Sequence, residues 1–120
     1  MIQFLIVGLG GAIGAMSRYG LGTIAIKMDF PLTTFLINFV GAVIIGLFAG
    51  LTMSRDDISP NTALFVKVGI CGGFTTFSGF SLEVMNMFED NHAILAIVYA
   101  IVSVVTCVIG VWLGRKFVLG

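Results

Sequence analysis

The stretch GGFTTFSGF, residues 72–80, sets two adjacent glycines, two threonines and a serine inside a long apolar segment. Residues of this kind do not make or break covalent bonds; what they can do is handle ions. In hydrocarbon every backbone N–H and C=O needs a partner. Interrupted helix is tolerated there only where protein buries it or it lines a polar cavity. A helix that ends at the interruption presents carbonyl oxygens, which favour a cation, and one that begins there presents N–H groups, which favour an anion. Phe77 and Phe80 lie three apart and share a helix face. Ring edges carry partial positive charge. Two rings turned edge-on line a route for a small anion without a full countercharge to trap it, as shallow binding requires. Ordinary packing of Phe74, Phe77 and Phe80 is the alternative. The expectation is a discontinuous membrane helix, broken near the bilayer midplane, that binds or passes an ion there.

Other polar groups sit at similar depth. Asn38 is the one strongly polar residue of its apolar run, roughly 10 Å in from Pro31. An unbonded amide is costly in hydrocarbon; Asn38 serves either as glue between helices or as a donor to an anion. Arg18 lies well inside its segment and either snorkels or faces an aqueous vestibule that draws in anions. Tyr99, Ser103 and Thr106 or Cys107 recur at spacings of three and four, so they share one face. That stripe either hydrates a narrow pathway or makes interhelical hydrogen bonds. Thr75, Thr76, Ser78 and Ser81 surround the interruption, and Glu83 follows it, positioned to face water near a pore mouth. No Ser/His/Asp set, paired carboxylates, phosphate loop or zinc spacing is present, and the chain is expected not to be an enzyme. His92 reads as a loop residue, since no second ligand is spaced for it. Cys71 and Cys107 lie in apolar segments and read as small packing residues.

The elements that must position these groups are read from composition. Of 120 residues, 58% are hydrophobic and 10% charged, and the mean hydropathy is +1.14. A soluble domain carries roughly 25% charged residues, so lipid must be the outer solvent. Six basic and six acidic residues cancel, which implies no nucleic-acid partner. One domain, residues 1–120, is expected. Segment one runs from Ile2 to Ile26, roughly 37 Å of helix. It reads as a retained first span, since MIQFLIVGLGGAIGAMSRYG has no positive n-region. Gly8, Gly10, Gly11 and Gly14 suit close helix approach. Segment two begins at Pro31, which suits a first helical turn, and ends near Met53; Gly41, Gly46 and Gly50 again suggest tight packing. Segment three reaches from Thr62 to Phe88, where Gly69, Gly72 and Gly73 each weaken the helix by about 1 kcal/mol relative to Ala. Lys67 in its first turns is read as snorkelling. Segment four runs from Ala93 to Leu113, closed by Gly114, Arg115 and Lys116, with Trp112 as an interface anchor. Four spans put both ends on one side, and the weak Lys/Arg bias allows either orientation or both.

GGAIGAMSRY in segment one, FLINFVGAVIIG in segment two and GGFTTFSGF in segment three together resemble the Fluc/CrcB fluoride channels. The likeness covers essentially the whole chain. It implies an all-α membrane protein with four transmembrane helices, the third broken, forming an antiparallel homodimer of dual topology. It implies passive export of cytoplasmic fluoride through two pathways at the dimer interface, in a bacterial inner membrane. By the same resemblance, the pore asparagine falls on Asn38 and the pathway phenylalanines on Phe77 and Phe80, with Ser78 beside them. The polar track falls on Tyr99, Ser103 and Thr106, the vestibule arginine on Arg18 and the mouth glutamate on Glu83. A central structural sodium, held by backbone carbonyls of both subunits, falls on Gly72 and Thr75. Two departures are visible: Gly79 stands where the family often has threonine, and Cys107 where a serine can continue the track. A small dimeric proton-coupled multidrug exporter is the competing reading. It wants an acidic residue deep in segment one, where Arg18 is the only charge. A structural subunit of a larger membrane complex is a third.

Overall fold

The computed structural model describes residues 1–24 and 26–120, and no strand occurs among the described residues. Helix α1 spans Ile2–Gly22 and α2 spans Leu32–Ser54. Helix α3, residues 60–74, begins as a turn of α-helix (Pro60–Ala63), widens to π-helix over Leu64–Cys71 and closes with the turn Gly72–Phe74. Helix α4 spans Phe77–Glu89 and α5 spans Ala93–Leu119. Four stretches are long and apolar enough to cross a membrane: Ile2–Gly22, Leu32–Ser54, Pro60–Glu89 and Ala93–Leu119. The all-helical, four-span plan read from the sequence is the observed one.

Several boundaries differ from expectation for local reasons. Helix α1 stops at Gly22 rather than Ile26, because Thr23 turns back on it: its N–H bonds the Tyr19 and Gly20 carbonyls, and its Oγ1 donates to Gly20 O at 2.6 Å. Helix α5 runs past Leu113 to Leu119 and carries Arg115 and Lys116 on its last turns. The Lys116 ammonium lies 4.8 Å from the centre of the Trp112 ring, a cation–π contact at the basic end. Ser59 caps α3, its Oγ accepting from Thr62 N at 3.1 Å with Pro60 in the first turn. In the loop before it, Arg55 pairs with Asp57 at 2.7 Å. The guanidinium hydrogen bond holds the Asp57 carboxyl below its ordinary range, although a surface pair of this kind contributes little stability.

The glycines of segment three do not sit where the helix is interrupted. Gly72 keeps helical angles (φ −63°, ψ −37°), and Gly73 lies in the same turn. The extended residues are Thr75 (φ −84°, ψ 157°) and Thr76 (φ −143°, ψ 119°). Gly69 and Gly73 serve packing instead. A Cβ on Gly10 would strike the Phe65 carbonyl and Gly69, one on Gly14 the Ile70 carbonyl and the Phe74 nitrogen, and one on Gly73 the Gly11 carbonyl. Helices α1 and α3 therefore touch backbone to backbone. Helices α2 and α5 do the same: Gly46 lies on the Val111 carbonyl, Gly50 on Arg115, and Gly114 on the Val43 carbonyl. Without a hydrophobic drive between helices in lipid, such close approach is what holds the bundle.

Helices α4 and α5 form a hairpin. Asn91 takes the left-handed conformation (φ 64°), which asparagine tolerates better than most residues. His92 N then bonds Met87 O at 2.8 Å and Asn91 N bonds Phe88 O at 3.2 Å, closing α4 with a Schellman turn. His92 is a loop residue here, as expected. The tight turn brings Glu83 and Tyr99 face to face across the hairpin.

Gly14→Ala is expected to destabilise the fold by about 1–3 kcal/mol, because the methyl meets backbone that cannot move aside. Gly8→Ala, whose methyl meets no atom within 4 Å, should leave thermal unfolding in detergent unchanged. Equal midpoints for the two variants would remove the close-packing account.

Candidate functional site

The site begins with two threonines that cannot complete helix. Thr75 N–H still reaches back to Cys71 O at 3.1 Å, and its Oγ1 donates to the same carbonyl at 2.9 Å. Thr76 has left the helical ladder, and α2 supplies the missing partners. Asn38 Oδ1 accepts from Thr76 N at 2.8 Å, and Asn38 Nδ2 donates to Thr76 O at 3.1 Å. One side-chain amide thus satisfies both polar groups of one residue, as a neighbouring strand would. The Thr76 hydroxyl in turn caps α4, accepting from Gly79 N at 2.9 Å. Of the two roles read from the sequence, the structure shows Asn38 as interhelical glue. One Nδ2 hydrogen is left over, on a residue that also lines a cleft.

That cleft, of about 250 Å³, is lined by Asn38, Thr75, Thr76, Phe77, Phe80, Ser103, Val104 and Cys107. It gathers four of the expected pathway residues: Asn38, Phe77, Phe80 and Ser103. The rings of Phe77 and Phe80 lie 5.6 Å apart at 35°. Phe80 is buried, whereas Phe77 is 78% exposed in the single chain. Ser103 is 6% exposed, and its Oγ has no hydrogen-bond partner among the described residues. A buried hydroxyl without a partner calls for an occupant that supplies one.

A second hollow, about 460 Å³, lies across Thr76, which lines both. Arg18, Thr34, Gly79 and Glu83 are among its walls. The Arg18 side chain is held to α3 at one nitrogen: its Nε donates to Gly73 O at 3.2 Å, a carbonyl left over at the end of α3. Glu83 is engaged rather than simply facing water. Thr34 Oγ1 donates to its Oε2 at 2.8 Å, and Tyr99 OH donates to its Oε1 at 3.0 Å. The Tyr99 side chain is fully buried, its ring 5.1 Å from both Phe30 and Phe80. The carboxylate therefore ties α2, α4 and α5 together beneath a wall of aromatic rings.

Three expected residues stand apart from the cleft. Tyr99 serves Glu83. The Thr106 hydroxyl donates to Val102 O of its own helix at 2.6 Å, so Thr106 adds no rung to the stripe there. Ser78 is exposed, its Oγ 3.3 Å from Thr76 Oγ1. Gly72 is exposed, with open space where a side chain would be. Sequence reasoning missed two contributors, Thr34 and Phe30, and left a third open. Of the two alternatives that spacing left open for the end of the stripe, Thr106 or Cys107, it is Cys107 that lines the cleft. Thr34 and Phe30, which anchor Glu83 and Tyr99, carry no signal in the pattern.

The family described as CrcB-like protein, Camphor Resistance (CrcB), matches residues 5–115. A fluoride-specific ion channel FluC of Ruminiclostridium cellulolyticum is 42% identical over 118 residues, covering 96% of this chain and 91% of its own. The protein of the same name from Methylobacterium radiotolerans is 43% identical over 115 residues, covering 92% of this chain and 80% of its own. That of Francisella philomiragia is 40% identical over 125 residues, covering 99% and 96%.

Asn38→Ala removes both bonds to Thr76 and is expected to cost about 1–3 kcal/mol for each group left unpaired. The fall should appear in the thermal midpoint, together with faster amide exchange at Thr76. Exchange at Thr76 as slow as in the parent chain would deny the clasp its role.

Proposed function

We propose, because this chain belongs to the CrcB family, that it is a passive, fluoride-selective channel of the plasma membrane. The observation that carries the reading is the cleft in which Asn38, Phe77, Phe80 and the partnerless Ser103 hydroxyl meet. Fluoride is small and strongly hydrated, so a pathway must replace water with hydrogen-bond donors. The spare Asn38 N–H and the Ser103 O–H are such donors, and the phenyl rims add weak positive edges. Neither cleft wall carries a full positive charge, which keeps binding shallow enough for exit. Arg18, across Thr76, raises the local concentration of anions without standing in the cleft itself. An inside-negative potential drives an anion outward by about 2.3 kcal/mol per charge per 100 mV, so no coupled energy source is needed.

Residues 60–89 are taken to cross as one discontinuous span, with Thr75 and Thr76 near the bilayer midplane. Two copies of the chain, inverted with respect to each other, are taken to form the channel with two pathways. What supports this is a face whose exposed Ser78 and Ser81 lipid would cover poorly, with Phe77, 78% exposed, and Gly72 also open. A structural sodium fits the same face. No hydrogen bond to the Gly72 or Thr75 carbonyl is present among the described residues, and these oxygens from two copies would hold the ion and tie the copies together. The multidrug-exporter reading is disfavoured because α1 carries no acidic residue.

Purified protein in liposomes loaded with potassium fluoride should release fluoride when a potassium ionophore is added, and retain chloride under the same conditions. Equal release of both anions, or none of either, would defeat the reading. Phe80→Ile should slow fluoride release strongly. Asn38→Asp should abolish it, since a fixed negative charge repels the anion and the donor to Thr76 O is lost.

A further inference from the structure

One group in the cleft wall has no assigned role: the thiol of Cys107. It lies four residues after Ser103 on α5 and so shares its helix face. Both side chains line the cleft with Phe77 and Phe80. The stripe ends there, because the next position on that face is Val111. Cysteine inside a membrane segment is ordinarily inert packing, and Cys71 fits that description: it is 3% exposed and lines no cleft described above. Cys107 is only half-buried. The independent observation is Ser103. Its hydroxyl is buried, partnerless and in the same wall, so the cleft requires a hydrogen-bonding occupant, water or an anion. A thiol one turn away borders the same open cleft, which water and small reagents can enter, whereas Cys71 borders none. The thiolate is the reactive form.

We propose that Cys107 is a covalent modification site for small thiol-directed electrophiles, and that the adduct closes the pathway. The closure rests on the channel function proposed above; the modification does not. With methyl methanethiosulfonate the thiol proton passes to water in the cleft, and the thiolate sulfur attacks the thiomethyl sulfur. A new disulfide bond forms to Cys107, the sulfur–sulfonyl bond breaks, and methanesulfinate leaves with the electron pair. A dithiol reverses the adduct by exchange. The added thiomethyl group projects into the space between Ser103 and the two phenyl rings.

The experiment treats proteoliposomes with this reagent, maps adducts by peptide mass spectrometry and measures fluoride release before and after. The expected result is an adduct on Cys107 but not on Cys71, loss of most of the release, and its return with dithiothreitol. Release by Cys107→Ser should be the same before and after treatment, and Cys71→Ala should be blocked as the parent chain is. No adduct on Cys107, an adduct that leaves release unchanged, or a block that persists in Cys107→Ser would each overturn the proposal. Absence of release before any reagent would instead count against the channel reading, and selective labelling of Cys107 over Cys71 would still decide whether the thiol faces the polar cleft.

Discussion

A peptide group that leaves a helix within an apolar bundle needs partners for both its polar atoms, and Thr76 finds them in Asn38. The amide of Asn38 both accepts from its N–H and donates to its C=O. An unpaired backbone group there costs several kcal/mol, so an extended residue within a span stands only if another element supplies both partners. Once Thr76 is held, its own hydroxyl is free to cap α4, and α4 starts again at Phe77. The direction in which Phe77 and Phe80 leave the backbone follows from that restart. The two hollows follow as well, since Thr76 stands between them.

Getting α2 close enough to do this depends on glycine. Two helix pairs, α1 with α3 and α2 with α5, touch through backbone atoms at Gly10, Gly14, Gly46 and Gly114. Gly41 of α2 lies against the Thr75 methyl, which sets the distance from α2 to the interrupted segment. Small residues thus bring polar groups from α1, α2, α4 and α5 around one point: Arg18 on Gly73 O, Asn38 on Thr76, and Thr34 and Tyr99 on Glu83. Each bond joins different elements, so the polar groups lock the bundle in register while leaving one buried hydroxyl among the described residues, that of Ser103, unspent.

The charges are arranged so that neither stands in the cleft. Arg18 and Glu83 wall the larger hollow on the far side of Thr76, and Glu83 is engaged by two hydroxyl donors. In a medium of low dielectric a full charge beside a small anion would hold it too tightly or exclude it. Hydroxyl, amide and aromatic edge are weaker partners, and they are what the cleft offers.

Composition and hydropathy were enough to determine the solvent of this chain, the number of its spans, and which span carries each of Asn38, Arg18 and the 72–80 stretch. Those are properties of residue type and linear spacing, and a bilayer reads them directly. Which atoms meet was decided only by the fold. The glycines of segment three looked like the weak point of a helix, yet Gly69, Gly72 and Gly73 are helical and the first and last of them are packed, while two threonines carry the extension; nothing in the local pattern separates a glycine that bends from one that lets a neighbour in. The π-helical stretch at Leu64–Cys71 left no sequence signal either. Ser103, Thr106 and Cys107 are equally polar in a one-dimensional reading. A hydroxyl in lipid bonds the nearest acceptor: for Thr106 that is its own helix at Val102 O, whereas Ser103 and Cys107 face a cleft that exists only because α2, the extended threonines and α4 come together there.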